Sequence, residues 1–303
     1  MTRAGYVGRF APSPTGRLHM GSLLAAVGSF CDAKHHGGQW LVRMEDLDPP
    51  REVPGAADDI LRTLEAFGLH WDGEVRFQSH RNEAYEEVLA TLMGNDLAFG
   101  CGCTRKELAG HEVYPGHCSN GLPMEKEARS FRFRIGADPW NWRDGVQGMQ
   151  AFHANEIGDF VVRRADGFWA YQLAVVTDDL DQGVTHVVRG ADLLDSTPRQ
   201  MALRQALEPN APALHWAHLP VLVNGEGQKL SKQTLAEPVS KTDATQLMLR
   251  TLDLLGQSLP ESEAMDDWVA AGDVGAVLDH AVRHWSLEAV PAPAIHWQGS
   301  GHD

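Results

Sequence analysis

The first 45 residues alternate between apolar runs and turn residues in an order that predicts a strand, a loop, a helix and a strand. Residues 6–11 are predicted as a strand, and residues 21–35 carry apolar side chains at helical spacing up to the glycines at 37 and 38. Residues 39–44 are again predicted as a strand. A helix between two strands is typical of a parallel βαβ unit, so the pattern predicts an α/β fold with a parallel sheet.

Apolar spacing also predicts the helices and strands of the rest of the chain. Segments with helical spacing alternate with short strand-like runs, and residues 100–126 form an irregular insert that contains Cys, His, Gly and Pro. The predicted helices are 55–67, 81–93, 173–181, 198–207 and 244–255. The predicted strands are 130–135 and 185–189, with two strands around an Asp-Gly turn at 159–171 and a hairpin-like stretch at 219–230.

Composition limits the class of protein. The chain has 303 residues, of which 43% are hydrophobic, so it can bury a sizeable core and is not predicted to be disordered. Its net charge of −15 argues against non-specific binding to nucleic acids or membranes, although a local basic patch remains compatible with it. The sequence contains neither a long apolar run nor a signal-peptide core, and its 4 cysteines are too few for a disulfide scaffold. We therefore expect a cytoplasmic protein.

The loop between the first strand and the first helix has an unusual composition. The sequence RFAPSPTGRLHMGSL (residues 9–23) combines prolines, glycines and basic side chains and contains no acid. The N-terminus of a helix exposes N–H groups and a positive dipole end, which bind phosphates readily. His19 could donate to such an anion, and Gly21 would let it approach the backbone. The alternative is an ordinary turn in which His19 only caps the helix.

Two short motifs carry a resemblance to a known family. HMGS at 19–22 resembles the HIGH signature of class I aminoacyl-tRNA synthetases, and KLSKQ at 229–233 resembles their KMSKS signature. Together with LVRMEDLDPPR at 41–51, the longer N-terminal run resembles the glutamyl subgroup. The resemblance runs from about residue 6 to about residue 235.

It implies a Rossmann-like catalytic domain that joins an amino acid to the α-phosphate of ATP, with Mg²⁺ accompanying the nucleotide. The implied catalytic residues are His19 and Lys232, and the implied ATP-binding residues are His19, Gly21, Ser22, Lys229, Ser231 and Lys232.

The resemblance also implies a glutamate pocket, and the extra carboxylate of this substrate requires a cation. Arg9 and Arg189 are the candidate cations. Glu45 would accept from the substrate ammonium group, and Tyr171 would contribute a hydroxyl. Alternatively, Glu45 solvates a turn and Tyr171 belongs to the core, while Arg189 pairs with Asp192. Glutamine is the alternative substrate from the residues alone. The implied glutamate-binding residues are Arg9, Phe10, Ala11, Pro12, Ser13, Glu45, Tyr171 and Arg189.

Three of the four cysteines lie in the irregular insert, where clustered thiols favour a structural Zn²⁺ site with four ligands. Ligand chemistry alone favours His111 or His117 as the fourth ligand, whereas the family resemblance implies Tyr114. The alternative is a set of buried, reduced cysteines without metal. Cys31 lies in an apolar helix and is predicted to pack in the core. The predicted metal ligands are Cys101, Cys103, Tyr114 and Cys118.

The segment after residue 235 distinguishes subgroups within this family. It lacks a basic cluster, and we expect no full anticodon-binding domain in it. The chain therefore most resembles the truncated paralogues of glutamyl-tRNA synthetase, the glutamyl-queuosine tRNA(Asp) synthetases. That family is described as activating glutamate without tRNA and transferring it to the queuosine base in the anticodon loop of tRNA(Asp). The alternatives are a shortened ordinary synthetase that charges the tRNA 3′ end, another nucleotidyltransferase, and a non-catalytic RNA-binding paralogue.

These inferences predict the organisation and partners of the chain. We expect a monomer whose partners are L-glutamate, ATP and tRNA(Asp) carrying queuosine, without membrane contact. The resemblance implies that the cysteine insert faces the RNA, and a basic patch near the pocket is predicted from Arg3, Arg9, Arg17, Arg43 and Arg51. The predicted segments are the first half of the catalytic domain (1–99), a zinc-binding insert (100–128), the remainder of the insert with the second half of the catalytic domain (129–240), and a short helical C-terminal region (241–303).

Overall fold

The computed structural model describes residues 5–230 and 237–297. In chain order, its helices are α1 Met20–His35, α2 Ala56–Ala66, α3 Asn82–Gly94, α4 Ala154–Ile157, α5 Tyr171–Asp181, α6 Thr197–Leu207, α7 Ala244–Leu254, α8 Ser262–Ala271 and α9 Val274–His284. Its strands are β1 Val7–Phe10, β2 Gln39–Met44, β3 Arg76–Phe77, β4 Ala98–Cys101, β5 Ser130–Phe133, β6 Trp140–Asp144, β7 Gly148–Phe152, β8 Phe160–Arg163, β9 His186–Gly190, β10 His215–Leu219, β11 Leu222–Val223 and β12 Ile295–His296.

The central strands are parallel, as the sequence predicts. β1 pairs with β2 so that Val7 lies opposite Gln39, and β2 continues to β3. β9 and β10 form a second parallel pair, and a hydrogen bond of 2.9 Å from Thr185 N to Val7 O joins this pair to β1. Because the strands run in one direction, their carboxyl ends lie at a common edge.

The helix α1 is the centre of the main core. Its residues from Leu23 to Ala33 are buried except Ala25, and it contacts β1, β9, α7 and α9. A helix that is apolar on most of its surface is typically covered on all sides. Met248 of α7 and Val277 of α9 are fully buried in the same core. The helices α7 and α9 therefore pack against α1.

An antiparallel unit follows α3. β4 pairs with β5 and β5 with β8, while β6 and β7 form a separate hairpin. A second core packs this unit against α3, α5 and α6 through side chains such as Leu92, Phe133 and Leu173. Cys101 ends β4, so the unit fixes the point at which the cysteine insert begins.

The prediction of two strands at 159–171 is wrong in its second half. The first strand forms as β8, but Trp169 makes only a single bridge to its end. The intervening turn is tight, with Arg164 N donating to Phe168 O at 2.9 Å. The chain then enters α5 at Tyr171, which leaves too few residues for a strand.

The remaining hairpins are also shorter or less evident than the sequence pattern indicates. The stretch predicted at 219–230 forms the two-residue strand β11, and Val223 bridges back to Lys229. The pattern does not predict the β6–β7 hairpin, because few of its side chains are buried. Within the described ranges, no helix has the length and apolar character that crossing a membrane requires.

Candidate active site

A cavity of about 700 Å³ opens at the carboxyl ends of β1, β2, β9 and β10, beside the amino terminus of α1. This edge is where ligands bind in open parallel sheets. The cavity brings together the described residues that the sequence predicts for ATP and glutamate. These residues are Arg9, Phe10, Ala11, Pro12, Ser13, His19, Gly21, Ser22, Glu45, Tyr171, Arg189 and Lys229. The predicted residues Ser231 and Lys232 lie outside the described residues.

His19 is the N-cap of α1 and also lines the cavity. Its Nδ1 accepts from Ser22 N at 3.3 Å, and its Nε2 lies 3.2 Å from the Ser22 hydroxyl oxygen. A Cβ at Gly21 would lie 3.1 Å from the His19 ring, so glycine at this position leaves room for the cap. The cap therefore holds the imidazole at the cavity wall, next to the positive end of the helix dipole.

The segment around the second signature lies beside the first. Leu230, immediately before residues 231–236, lines the cavity. Val239, shortly after them, donates its N–H to Leu18 O at 2.9 Å. Leu18 directly precedes His19, so the chain on both sides of 231–236 is anchored near the start of α1.

Arg9 is a buried cation with unused donors. Its Nε lies 3.3 Å from Asp179 Oδ1, and Arg43 Nη1 lies 2.7 Å from the same oxygen. The Nη1 and Nη2 atoms of Arg9 make no hydrogen bond within the described residues, although the residue is only 3% exposed. A buried guanidinium fork at a cavity wall is suited to bidentate binding of a carboxylate.

Glu45 follows β2 and is a nearly buried carboxylate of the same cavity. Its side chain is 10% exposed, so it does not solvate a turn. Arg43 Nη2 lies 3.6 Å from Glu45 Oε1, and that oxygen accepts no hydrogen bond within the described part of the chain. Burial raises the pKa of Glu45 to about 7, against the opposing effects of Arg43 and Arg9. Glu45 can therefore accept a hydrogen bond from a ligand.

Arg189 is a second buried cation, and the alternative that it pairs with Asp192 is wrong. The Asp192 carboxylate contacts Lys229 Nζ instead. Arg189 Nη1 donates to the Tyr171 hydroxyl at 3.3 Å, and burial lowers the pKa of the guanidinium. Tyr171 packs against the second core and lines the cavity as well, so the two interpretations of this residue are both partly correct.

Buried polar residues that the sequence analysis does not single out support these cations. Asp179 binds Arg9 and Arg43 from α5, and its signal in the sequence is a run of acids within an apolar helix, VVTDDLD. His218 accepts from Arg189 Nε at 3.1 Å. A histidine in a buried strand has no distinctive spacing, so the sequence offers little to identify it.

The three insert cysteines converge. The sulfur atoms of Cys101, Cys103 and Cys118 all lie within 4.8 Å of one another, and the last two are 3.7 Å apart. The Tyr114 hydroxyl lies 3.5 Å from Cys101 Sγ and 3.8 Å from Cys103 Sγ. Tetrahedral Zn²⁺ with Zn–S bonds of about 2.3 Å separates its sulfur ligands by roughly 3.7 Å. The cluster therefore has the donor atoms and spacing for such an ion, and no histidine nitrogen within the described ranges belongs to it.

Arg132 supports the cluster electrostatically. Its Nε donates to Cys101 Sγ at 3.4 Å, and its guanidinium lies 4.0 Å from the centre of the Tyr114 ring. Burial opposes ionisation of Cys101, but its hydrogen bonds with Tyr114, the Cys103 backbone and Arg132 outweigh burial and lower the pKa of the thiol to about 7. At Cys103, by contrast, burial and the hydrogen bond with Cys118 raise the pKa to about 11. A thiolate is the form that ligates a metal, so Cys101 is the ligand whose surroundings favour metal binding.

The basic patch predicted near the cavity does not form among the described residues, because acids pair with its members. The pairs are Arg9 and Arg43 with Asp179, Arg17 with Asp59, and Arg51 with Asp48. Arg3 lies outside the described residues. Unpaired cations occur instead beside the cysteine cluster, where exposed Arg105, Lys106 and Arg129 make no ion pair within the described residues. They line a groove of about 720 Å³ that includes Cys103.

Comparison with known proteins identifies the family of the chain. The profile of the family described as tRNA synthetases class I (E and Q), catalytic domain, matches residues 6–265. The Glutamyl-Q tRNA(Asp) synthetase of Chromobacterium violaceum is 53% identical over 300 residues, covering 96% of this chain and 97% of that protein. The Glutamyl-Q tRNA(Asp) synthetase of Neisseria meningitidis serogroup A is 50% identical over 303 residues, covering 96% of this chain and 99% of that protein.

A solved structure supports the fold independently. The glutamate-tRNA synthetase of Elizabethkingia anophelis superposes with a TM-score of 0.77 at 24% identity, covering 97% of this chain and 68% of that one. The likeness covers nearly the whole of this chain. The chain belongs to the catalytic-domain family of class I tRNA synthetases (E and Q), in which its relatives at about 50% identity are glutamyl-Q tRNA(Asp) synthetases.

Proposed function

We propose that this protein activates L-glutamate with ATP, without tRNA, and transfers it to the queuosine base in the anticodon loop of tRNA(Asp). The observation that carries the first step is the cavity itself. It combines the Nη atoms of Arg9, the Glu45 carboxylate, whose Oε1 accepts no hydrogen bond within the described residues, and the amino terminus of α1. The names of the relatives support the second step. ATP and tRNA are cytoplasmic substrates, so we propose the same compartment for the reaction.

The first step needs positioning and charge stabilisation more than covalent catalysis. Glu45 accepts from the substrate ammonium group, and Arg9 binds the side-chain carboxylate. An oxygen of the α-carboxylate then attacks the α-phosphorus of ATP, forming glutamyl-adenylate and releasing pyrophosphate. His19 and the α1 dipole stabilise phosphate charge from one side. Lys232 would do so from the second signature, with Mg²⁺ accompanying the nucleotide.

In the second step, a hydroxyl of the queuosine ring attacks the activated carbonyl carbon and AMP leaves. The unpaired cations at Arg105, Lys106 and Arg129 support an RNA partner, because they form a local basic groove on a chain with a net charge of −15. We propose that residues 100–128 form this RNA-facing, zinc-bearing insert between the two halves of the catalytic domain, 1–99 and 129–240. The region 241–303 would be a helical support.

Transfer to defined tRNA tests this function against ordinary aminoacylation. Purified tRNA(Asp) with queuosine should accept glutamate, and the same tRNA from a queuosine-deficient strain should not. Exchange of labelled pyrophosphate into ATP should require glutamate and proceed without tRNA. If the queuosine-deficient tRNA accepts glutamate at full level, the protein charges the 3′ end and the proposed acceptor is wrong. If glutamate-dependent exchange is absent, the activation step is wrong as well.

The pH dependence of glutamate binding should follow Glu45. The carboxylate form accepts from the substrate ammonium group, and burial raises the pKa of Glu45 to about 7. The KM for glutamate should therefore fall as pH rises through 7, and at one pH unit below the pKa it should be about tenfold higher than its limiting value. Glu45→Gln should have a high KM that does not change over this range. If the KM of Glu45→Gln falls with rising pH as the wild-type KM does, the assignment is wrong.

We propose that Cys101, Cys103, Tyr114 and Cys118 hold a structural Zn²⁺. The ion would link remote parts of the insert, which has too few apolar residues to form a core of its own. Tyr114→Phe keeps the ring that packs on Arg132 and removes the oxygen, so zinc affinity should fall by about 10- to 100-fold in a competition titration with a chelator. His111→Ala and His117→Ala are matched controls that should keep wild-type affinity. If zinc affinity falls in His111→Ala or His117→Ala but not in Tyr114→Phe, that histidine and not Tyr114 is the fourth ligand.

A further inference from the structure

The Arg189 guanidinium is held by protein acceptors alone. An arginine side chain has five N–H donors. Within the described residues each of them has a partner, and none of the partners is a carboxylate. Nε donates to His218 Nε2 at 3.1 Å, Nη1 to Gln200 Oε1 at 2.7 Å and the Tyr171 hydroxyl at 3.3 Å, and Nη2 to Thr197 Oγ1 at 2.9 Å and Leu193 O at 3.2 Å.

The network continues away from the cavity to a buried carboxylate. His218 Nδ1 lies 2.5 Å from Asp144 Oδ2, and both side chains are fully buried. Asp144 Oδ1 also accepts from the backbone N–H groups of His218, Val146 and Gln147 at 3.0 to 3.1 Å. Asp144 is the last residue of β6 and His218 lies in β10. The pair therefore connects the β6–β7 hairpin to the central strands.

These contacts define the tautomer of His218. An ionised carboxylate only accepts hydrogen bonds, so the proton of the imidazole lies on Nδ1 and points to Asp144. Nε2 then carries a lone pair and accepts from Arg189 Nε, and the Thr197 hydroxyl, 3.1 Å from the same nitrogen, can donate to it as well. Burial lowers the pKa of His218 although Asp144 opposes this effect, and the contact with the Arg189 Nε–H donor requires an unprotonated Nε2. A proton on Nε2 would face the Nε–H of Arg189 and break the contact.

The network also orients Tyr171. Arg189 Nη1 donates to the Tyr171 oxygen, so the hydroxyl proton of Tyr171 points to a different acceptor. Tyr171 lines the cavity, where the substrate side chain would supply that acceptor. Direct contact with the ligand is thus assigned to Arg9 and Tyr171, while Arg189 contributes a fixed positive charge behind them.

We propose that Asp144 and His218 are positioning residues for glutamate recognition, acting by fixing Arg189 as a stationary cation that directs the Tyr171 hydroxyl into the cavity. The inference rests on the proposed activation of glutamate. A fixed, buried cation favours a ligand carboxylate over a neutral amide, so the same pair contributes to discrimination between glutamate and glutamine.

Asp144→Asn tests the tautomer requirement without changing the shape of the residue. The amide oxygen can still accept from the three backbone N–H groups, so the fold is preserved. The amide nitrogen would donate to His218 Nδ1 and force the ring proton onto Nε2, where it opposes Arg189. In glutamate-dependent ATP–pyrophosphate exchange, the KM for glutamate should rise by about 10- to 100-fold, and the KM for ATP should stay within about threefold.

Two further comparisons separate positioning from a merely structural role. His218→Gln can donate to Asp144 and accept from Arg189, so it should retain most of the glutamate affinity, whereas His218→Leu should lose it. Asp72→Asn is the matched control, because Asp72 also accepts from a backbone N–H and a side chain, at Trp40 and Lys34, but lies away from the cavity. It should leave both KM values within about threefold of wild type, since surface changes outside such networks have small effects.

Nitrogen NMR of the His218 ring provides a readout that does not depend on turnover. The wild-type ring should carry its proton on Nδ1, and the Asp144→Asn ring on Nε2. A wild-type Nε2–H tautomer, or a doubly protonated ring, would overturn the inference. Wild-type KM values in Asp144→Asn would also overturn it while leaving the proposed function intact. Absence of exchange in the wild-type enzyme itself would instead reject the proposed function, and the inference with it.

Discussion

Arg9→Met should reduce kcat/KM for glutamate in ATP–pyrophosphate exchange by about 100-fold or more, with the KM for ATP changed by less than about threefold. Arg9 is a buried cation that lines the cavity, and its Nη1 and Nη2 atoms make no hydrogen bond within the described residues. Methionine fills a similar volume but offers neither charge nor donor. Asp179 keeps its contact with Arg43 at 2.7 Å, so the variant does not leave that carboxylate unpaired.

Arg17→Met is the matched control for this substitution. Arg17 belongs to the same loop as His19, but its side chain is 54% exposed and pairs with Asp59 outside the cavity. Removal of an exposed ion pair changes stability by about 1 kcal/mol or less, and glutamate kinetics should stay close to wild type. Equal losses in the two variants would indicate a general effect of the loop. Equal losses in glutamate and ATP affinity in Arg9→Met would contradict its assignment to the amino acid.

Cys118→Ala should remove the metal and destabilise the protein. The wild-type protein should contain about one Zn²⁺ per chain, and the variant close to none, because the substitution removes one of the three thiolates. Loss of a structural metal removes binding free energy that contributes to folding, so Tm should fall by roughly 5 to 10 °C in a thermal scan. Elemental analysis of both proteins after dialysis against a weak chelator measures the zinc content directly.

Cys31→Ala is the appropriate comparison, since it makes the same chemical change at another fully buried thiol. Cys31 lies in α1 outside the cysteine cluster, and burial raises the pKa of its thiol. The small cavity should cost about 1 kcal/mol, and the zinc content should remain unchanged. Zinc retained at wild-type level in Cys118→Ala, or a fully folded wild-type protein without zinc, would contradict the metal site.

Periodic apolar positions predicted the elements that bury a continuous face. The βαβ unit at 6–44 is found as predicted, because α1 is covered on most of its surface and a central strand must be apolar. The β6–β7 hairpin and the second strand of 159–171 were not predictable in this way. The first has few buried positions, and the second is limited by a tight turn and the start of α5.

The motifs identified residues that line the cavity, but not the residues that hold those side chains in place. HMGS and RFAPSP are each an unbroken run of residues, so their residue types and spacing are recognisable, and all of their residues except Pro14 and Met20 line a single cavity. Asp179 supports Arg9 from 170 residues away, and Asp144 supports Arg189 through His218. The acids in VVTDDLD mark a buried polar position on α5, but no local pattern shows which remote side chain such a residue supports.

The sequence by itself determined the parallel α/β fold, the two signatures of the cavity and the cluster of insert cysteines, because each depends on local spacing or on residue type. Only the tertiary structure decided which of the predicted cations are paired with acids and which have N–H donors left for a ligand. Arg17 and Arg51 form exposed ion pairs with Asp59 and Asp48. Arg9 binds Asp179 through Nε alone, and its two Nη atoms, at the cavity wall, make no hydrogen bond within the described residues. Charge pairing depends on distances of a few ångströms between remote segments, and composition alone does not contain those distances.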